Sequence, residues 1–159
     1  MGSGKTTVGQ LLAQRLGRPF CDSDEMIEAR TGHTVRQIFL AQGEPAFRAL
    51  ETTVLSEALT STEPNVIAAA GGVVISAQNR NALTHANALV VWLRADPEVL
   101  THRVLTGGHR PLLDDNPEQR LRELLNARES LYREVANIVV DVSSATPEQI
   151  ADEIMAAVA

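Results

Sequence analysis

Aromatic residues are scarce, at 3% of 159 positions, and Cys21 is the only cysteine. The core must therefore be aliphatic, and an intramolecular disulfide is excluded. No N-terminal apolar run resembles a signal peptide or a membrane span, so the expected location is the cytoplasm. Excess positive charge is also missing. With 14 Lys and Arg against 20 Asp and Glu, the formal net charge is −6, which argues against a nucleic-acid partner. Any anionic ligand must be held by a few locally placed cations. His33, His85, His102 and His109 share no ligand-like spacing with one another or with Cys21, so no zinc site is assigned. Repeats, low-complexity tracts and long linkers are absent as well. Residues 1–159 thus read as one domain, able to bury roughly 70% of its unfolded surface.

What is present begins at the first residues. Met1-Gly2-Ser3-Gly4-Lys5-Thr6-Thr7 holds the second half of the phosphate-binding pattern G-x-x-x-x-G-K-[S/T]. In that pattern backbone N–H groups curl round phosphates, the lysine reaches the β and γ oxygens, and the hydroxyl meets Mg²⁺. The opening glycine would lie two residues before Met1, and the strand that feeds the loop further upstream. The expectation is that Met1 is an internal methionine of a longer chain, that the missing strand leaves a gap in the sheet with unpaired backbone groups on both neighbouring strands, and that a chain starting there would be poorly stable and weakly active.

Downstream, strands and helices alternate. Val8, Leu11, Leu12 and Leu16 predict a helix stopped by Gly17, and residues 19–21 predict a short strand. Helical stretches follow at 26–30 and 34–41, the latter with Thr34 and Gln37 spaced as a capping box. Pro45 then suits the first turn of a helix with Phe47, Leu50, Val54 and Ala58 on one face. Buried strands are expected at 66–70 and 88–93, and a last strand at 138–142. Ser76, Asp96-Pro97, Asn116-Pro117 and Thr146-Pro147 each read as helix starts. This order implies a parallel sheet covered on both faces, with ligands at the carboxyl ends of the strands.

Several residues could carry chemistry. Asp22 and Asp24 share one face if that stretch is extended, which suits one carboxylate near Mg²⁺ and one near an attacking hydroxyl, although either could simply cap a helix. Arg48 and Glu51 are helix neighbours and by themselves read as a solvated ion pair. Arg128 falls on an apolar stripe with Leu121, Leu124, Leu125 and Tyr132. An inward arginine needs an anion, and a structural carboxylate and a ligand are equally good candidates. Gly71-Gly72 permits close backbone approach, though a tight turn is the commoner meaning. Arg110, between Gly107-Gly108 and Pro111, suits a lid arginine, with a plain surface arginine as the alternative. Cys21 reads as strand packing.

In order, G-S-G-K-T-T-V-G, D-S-D, Ile38-Phe39, G-E-P-A-F-R-A-L-E, A-G-G, R-P-L-L and A-R-E-S-L-Y resemble shikimate kinase over essentially the whole chain. The resemblance implies a three-layer α/β P-loop kinase fold with five parallel strands, the first missing here, and a short lid at about 106–116. It also implies transfer of the ATP γ-phosphoryl to the 3-hydroxyl of shikimate by a monomer, in the route to chorismate and the aromatic amino acids. By position, Gly2, Ser3, Gly4, Lys5, Thr6 and Thr7 would hold phosphates, and Thr6 and Asp22 would serve Mg²⁺. Asp24 would act as base on the hydroxyl, and Arg110 would stabilise the phosphoryl in flight. Arg48, Arg128 and Gly71 would hold the carboxylate, with Phe39 and Phe47 walling the ring, in a substrate region at about 24–60. Ala70 departs from the family's first of three glycines. The family's adenine arginine is replaced in the stretch Val104-Leu105, with Arg103 nearest. Two alternatives remain: another P-loop small-metabolite kinase, such as gluconate kinase, or a nucleotide-binding protein without catalysis.

Overall fold

A computed structural model describes residues 2–106 and 116–158. Among these residues seven α-helices and four strands follow in order: α1 (Lys5–Leu16), β1 (Phe20–Asp22), α2 (Ser23–Thr31), α3 (Val35–Leu59), β2 (Val66–Ala68), α4 (Ala77–His85), β3 (Val91–Arg94), α5 (Pro97–Thr106), α6 (Pro117–Val135), β4 (Ile138–Asp141) and α7 (Pro147–Val158). A 3₁₀ turn, Gly71–Ile75, follows β2 and has no counterpart in the sequence-based assignment. Every strand pairing is parallel, as the alternation predicts. The sheet, expected to carry a gap, appears among the described residues as two two-stranded sheets, β1 with β2 and β3 with β4. Both strand runs expected to be buried are shorter than expected. In β2 Val66 and Ile67 are half-buried while Ala68 is buried, and in β3 only Trp92 is buried, because a two-stranded sheet covers its strands incompletely.

The chain forms two compact units, one from residues 1–8 with 89–159 and the other from residues 9–88. In the 9–88 unit, Phe20, Cys21 and Asp22 face Val66, Ile67 and Ala68. Thr34 caps α3 with a complete capping box. Gly43 breaks the helix at φ 80°, ψ 171°, and Pro45 follows it, where the restarting helix needs no N–H. The predicted apolar face is real: Phe47 and Val54 pack with Ile27 and Ile38, flanked by Leu50, Phe39, Met26 and Val35.

In the other unit, Val91 to Arg94 pair with Ile138 to Asp141, and the ladder is extended by Asn137 N–H to Val90 O and Val142 N–H to Arg94 O. Val104 and Leu121 join α5 to α6, with Leu100 packed on them. Asn116 and Thr146 receive helix N–H groups from Gln119 and Gln149, as their sequence positions predict. Asn116 takes a positive φ of 55° in doing so.

Candidate active site

The phosphate loop opens the 1–8/89–159 unit. Gly2 and Gly4 have positive φ, 72° and 83°, and α1 starts at Lys5 with Val8 N–H bonded to Gly4 O at 2.9 Å. No acidic residue stands in that first turn. A helix start carries N–H groups without intrahelical partners and the positive end of the dipole, so it suits an anion. Lys5 and Thr6 are both half-buried there.

The loop is backed by α5. A Cβ on Gly2 would lie 3.2 Å from both Leu100 O and Val104 Cγ2. Arg103 donates from Nη2 to Val142 O at 2.7 Å and from Nη1 to Gly2 O at 3.5 Å. Its guanidinium is thus committed to main-chain carbonyls of the loop and of the segment after β4. Sequence reasoning singled out Arg103 only as the arginine nearest an expected adenine contact.

Arg128, on α6 of this unit, is half-buried, and among the described residues it has no carboxylate partner. Of the two anions that the sequence allowed it, the structural one is not found among the described residues. Trp92 stacks on Tyr132 at 5.3 Å nearby in sequence, with the Arg133 guanidinium over the indole. Arg110 lies outside the described residues.

In the 9–88 unit the D-S-D stretch does not stay extended. Asp22 has β geometry and is buried, whereas Ser23 begins α2, so Asp24 sits in a helical first turn. Asp22 Oδ1 accepts the Asp24 N–H at 3.0 Å, so capping is one role of this aspartate. Between them Ser23, 1% exposed, accepts the Ala70 N–H on Oγ at 2.9 Å. That bond ties the start of α2 to the turn after β2, and sequence reasoning missed it. Ala70 has φ −61° and ψ 144°, an ordinary conformation that needs no glycine.

Arg48 is far from a solvated pair. Its Nη1 donates to Glu51, which is 1% exposed, and its Nε and Nη2 donate to Glu44 Oε1 at 3.2 and 3.0 Å. Burial works against its charge, but the bonds and charges of Glu51 and then Glu44 outweigh it, so the guanidinium is held above its ordinary value. Its Cζ lies 5.4 Å from the Phe47 ring centre, and Phe47 meets Phe39 at 4.6 Å. The E-x-x-x-R spacing of Glu44 and Arg48 was the available signal for the second carboxylate; the burial of Glu51 had none. In this unit, then, α2 carries Asp24, α3 carries Phe39, Phe47 and Arg48, and the turn after β2, against which Arg48 lies, carries Gly71.

The family model described as shikimate kinase matches residues 1–159. A shikimate kinase of Acinetobacter baumannii is 45% identical over 156 residues, covering 98% of this chain and 86% of that protein. One from Methylococcus capsulatus is 49% identical over 142 residues, 89% of this chain and 78% of the relative. The solved structure of the A. baumannii enzyme in complex with shikimate superposes with a TM-score of 0.93 at 42% identity, over 99% of this chain and 88% of that one. With a phosphate loop at a helix start, parallel β-α order and these matches, the chain belongs to the shikimate kinase family, ATP-dependent kinases that phosphorylate shikimate.

Proposed function

We propose that this chain transfers the γ-phosphoryl of ATP to the 3-hydroxyl of shikimate, using the residues singled out in its sequence. The observation that carries the reading is Arg48, a cation fixed by Glu44 and the buried Glu51 against the turn that contains Gly71. A guanidinium so restrained is ready for an anion, and charge-assisted bonds to a carboxylate are about twice as strong as neutral ones. Arg128 is the second carboxylate contact, supported by its half-buried position without a carboxylate partner among the described residues. The Gly71 backbone adds a donor, and Phe39 and Phe47 wall the ring.

Asp24, at the start of α2, orients the attacking hydroxyl and takes up its proton. Gly2 to Thr7 and Lys5 hold the phosphates at the start of α1. Arg110 is assigned to the phosphoryl in flight by position in the sequence alone. For Mg²⁺ the donors are the Thr6 hydroxyl and, through water, the buried Asp22 carboxylate. Such hard oxygen donors suit a cation that takes its other ligands from substrate phosphates. When bound, Mg²⁺ neutralises charge building on those phosphates. Action as a cytoplasmic monomer belongs to the same reading, supported by the single cysteine and the net charge of −6.

The test is ADP release by the purified protein with and without shikimate, with Lys5→Met as control. The reading requires shikimate-dependent release that Lys5→Met lowers by at least about 100-fold, the size expected for losing a preorganised charge contact to the transition state. Release that ignores shikimate would overturn it.

A further inference from the structure

Two sides of the Arg48 guanidinium are occupied by carboxylates, Nη1 by Glu51 and the Nε and Nη2 edge by Glu44. Main chain lies against the same head. A Cβ built on Gly72 would fall 2.0 Å from Arg48 Nη1, 2.8 Å from Cζ and 3.0 Å from Nη2. All three are atoms of one guanidinium. Gly72 has no positive φ, so its backbone accepts alanine, and what bars a side chain there is the arginine.

Of the two partners, the turn cannot easily yield. The turn is held before Gly72 by the bond from Ala70 N–H to Ser23 Oγ, and after it by Asn79 Nδ2, which donates to Val73 O at 3.0 Å. Both Ser23 and Asn79 are buried, at 1% and 3% exposure. Between a fixed turn and a side-chain end, the side-chain end moves at lower cost.

We propose that Gly72 is a positioning residue, whose missing side chain sets the pose of the Arg48 guanidinium and thereby the fit of the substrate carboxylate. The proposal rests on the assignment of Arg48 to shikimate made above. A larger residue at 72 pushes the guanidinium off Glu51, and the carboxylate contact is lost without any change at the phosphate loop.

The experiment places Gly72→Ala in the wild type and in an Arg48→Lys background, which keeps the charge and removes the guanidinium. Shikimate KM, ATP KM and kcat are measured, together with the ¹⁵N–¹H signal of Arg48 Nε in the ligand-free protein, identified by its loss in Arg48→Lys. Gly72→Ala should raise the shikimate KM about ten-fold, the scale of one bond to a charged group, with ATP KM unchanged and the Nε signal shifted. In the Arg48→Lys background the same change should move the shikimate KM less than about two-fold, because coupled sites are non-additive. An unshifted Nε signal, or an equal KM rise in both backgrounds, would overturn the proposal. If Gly72→Ala does not fold, folding of the double variant supports it and failure of the double variant overturns it. Should Arg48→Lys alone leave the shikimate KM unchanged, the substrate assignment of Arg48 falls, and the Nε signal still decides the role of Gly72.

Discussion

Replacing Arg128 by alanine separates a ligand contact from a structural one. The side chain is half-buried on α6 and has no carboxylate partner among the described residues, so its removal breaks no ion pair there. Arg128→Ala should raise the shikimate KM about ten-fold or more while the thermal midpoint moves little, a split read from steady-state kinetics and a melting curve. An unchanged KM with a large fall in midpoint would make Arg128 structural. Sequence placed this residue on the right stripe because helical periodicity survives in a single chain. It could not choose the anion, since the choice depends on which carboxylates come near in space. For Arg48 the sequence was misleading in the same way. Spacing identified Glu51 as a neighbour, yet only packing makes Glu51 a buried carboxylate and Gly72 the surface against which the arginine lies.

Among the elements, α3 depends on one conformation. Gly43 at φ 80°, ψ 171° interrupts the helix between its capped first half and the second half that carries Phe47, Arg48 and Glu51. That region of conformational space is essentially closed to residues with a Cβ, so Gly43→Ala should cost about 1–3 kcal/mol, measured by urea unfolding. No loss of stability would show that the break tolerates a side chain. The break was legible as Gly43 followed by Pro45, and the two helices expected on either side of it are the two that meet at the kink within Val35–Leu59. At the end of β4, Asp141 accepts the Ser143 N–H at 2.9 Å and faces Arg94 at 3.1 Å. The Ser143 backbone bond, then its side chain and Arg94, hold the carboxyl below its ordinary value. The sign follows: this contribution is present above the unfolded value of about 3.9 and is lost as pH falls through the lower folded one. The group is largely exposed, so the effect is small. Asp141→Asn should therefore melt slightly below wild type near neutral pH, with the gap closing on acidification below about pH 3. A gap that persists in acid would assign it to something other than the carboxylate charge.

At the scale of the whole molecule, the sequence foretold strand-helix alternation and parallel pairing because these follow from periodicity and connection length. The gap it foretold in the sheet is met among the described residues by two separate two-stranded sheets, whereas the two compact units, a property of contacts in space, were not foretold. The ligands provide a test that needs no catalysis. A ligand that binds only the folded protein stabilises it by an amount set by its concentration over its Kd, about 2.7 kcal/mol at 100 times Kd. For a chain of this length that is a rise in melting temperature of about 5–10 °C. Shikimate alone should give such a rise in the wild type and in Lys5→Met alike, because Lys5 is assigned to phosphate. ATP with Mg²⁺ should raise the wild type and leave Lys5→Met much less affected. Arg48→Lys should reverse the pattern, responding to ATP while its response to shikimate shrinks by about half at the same concentration, as a ten-fold weaker Kd requires. Loss of both responses in either variant would mean that the substitution damages the fold, and the assignment of separate anchors to the two substrates would then fail.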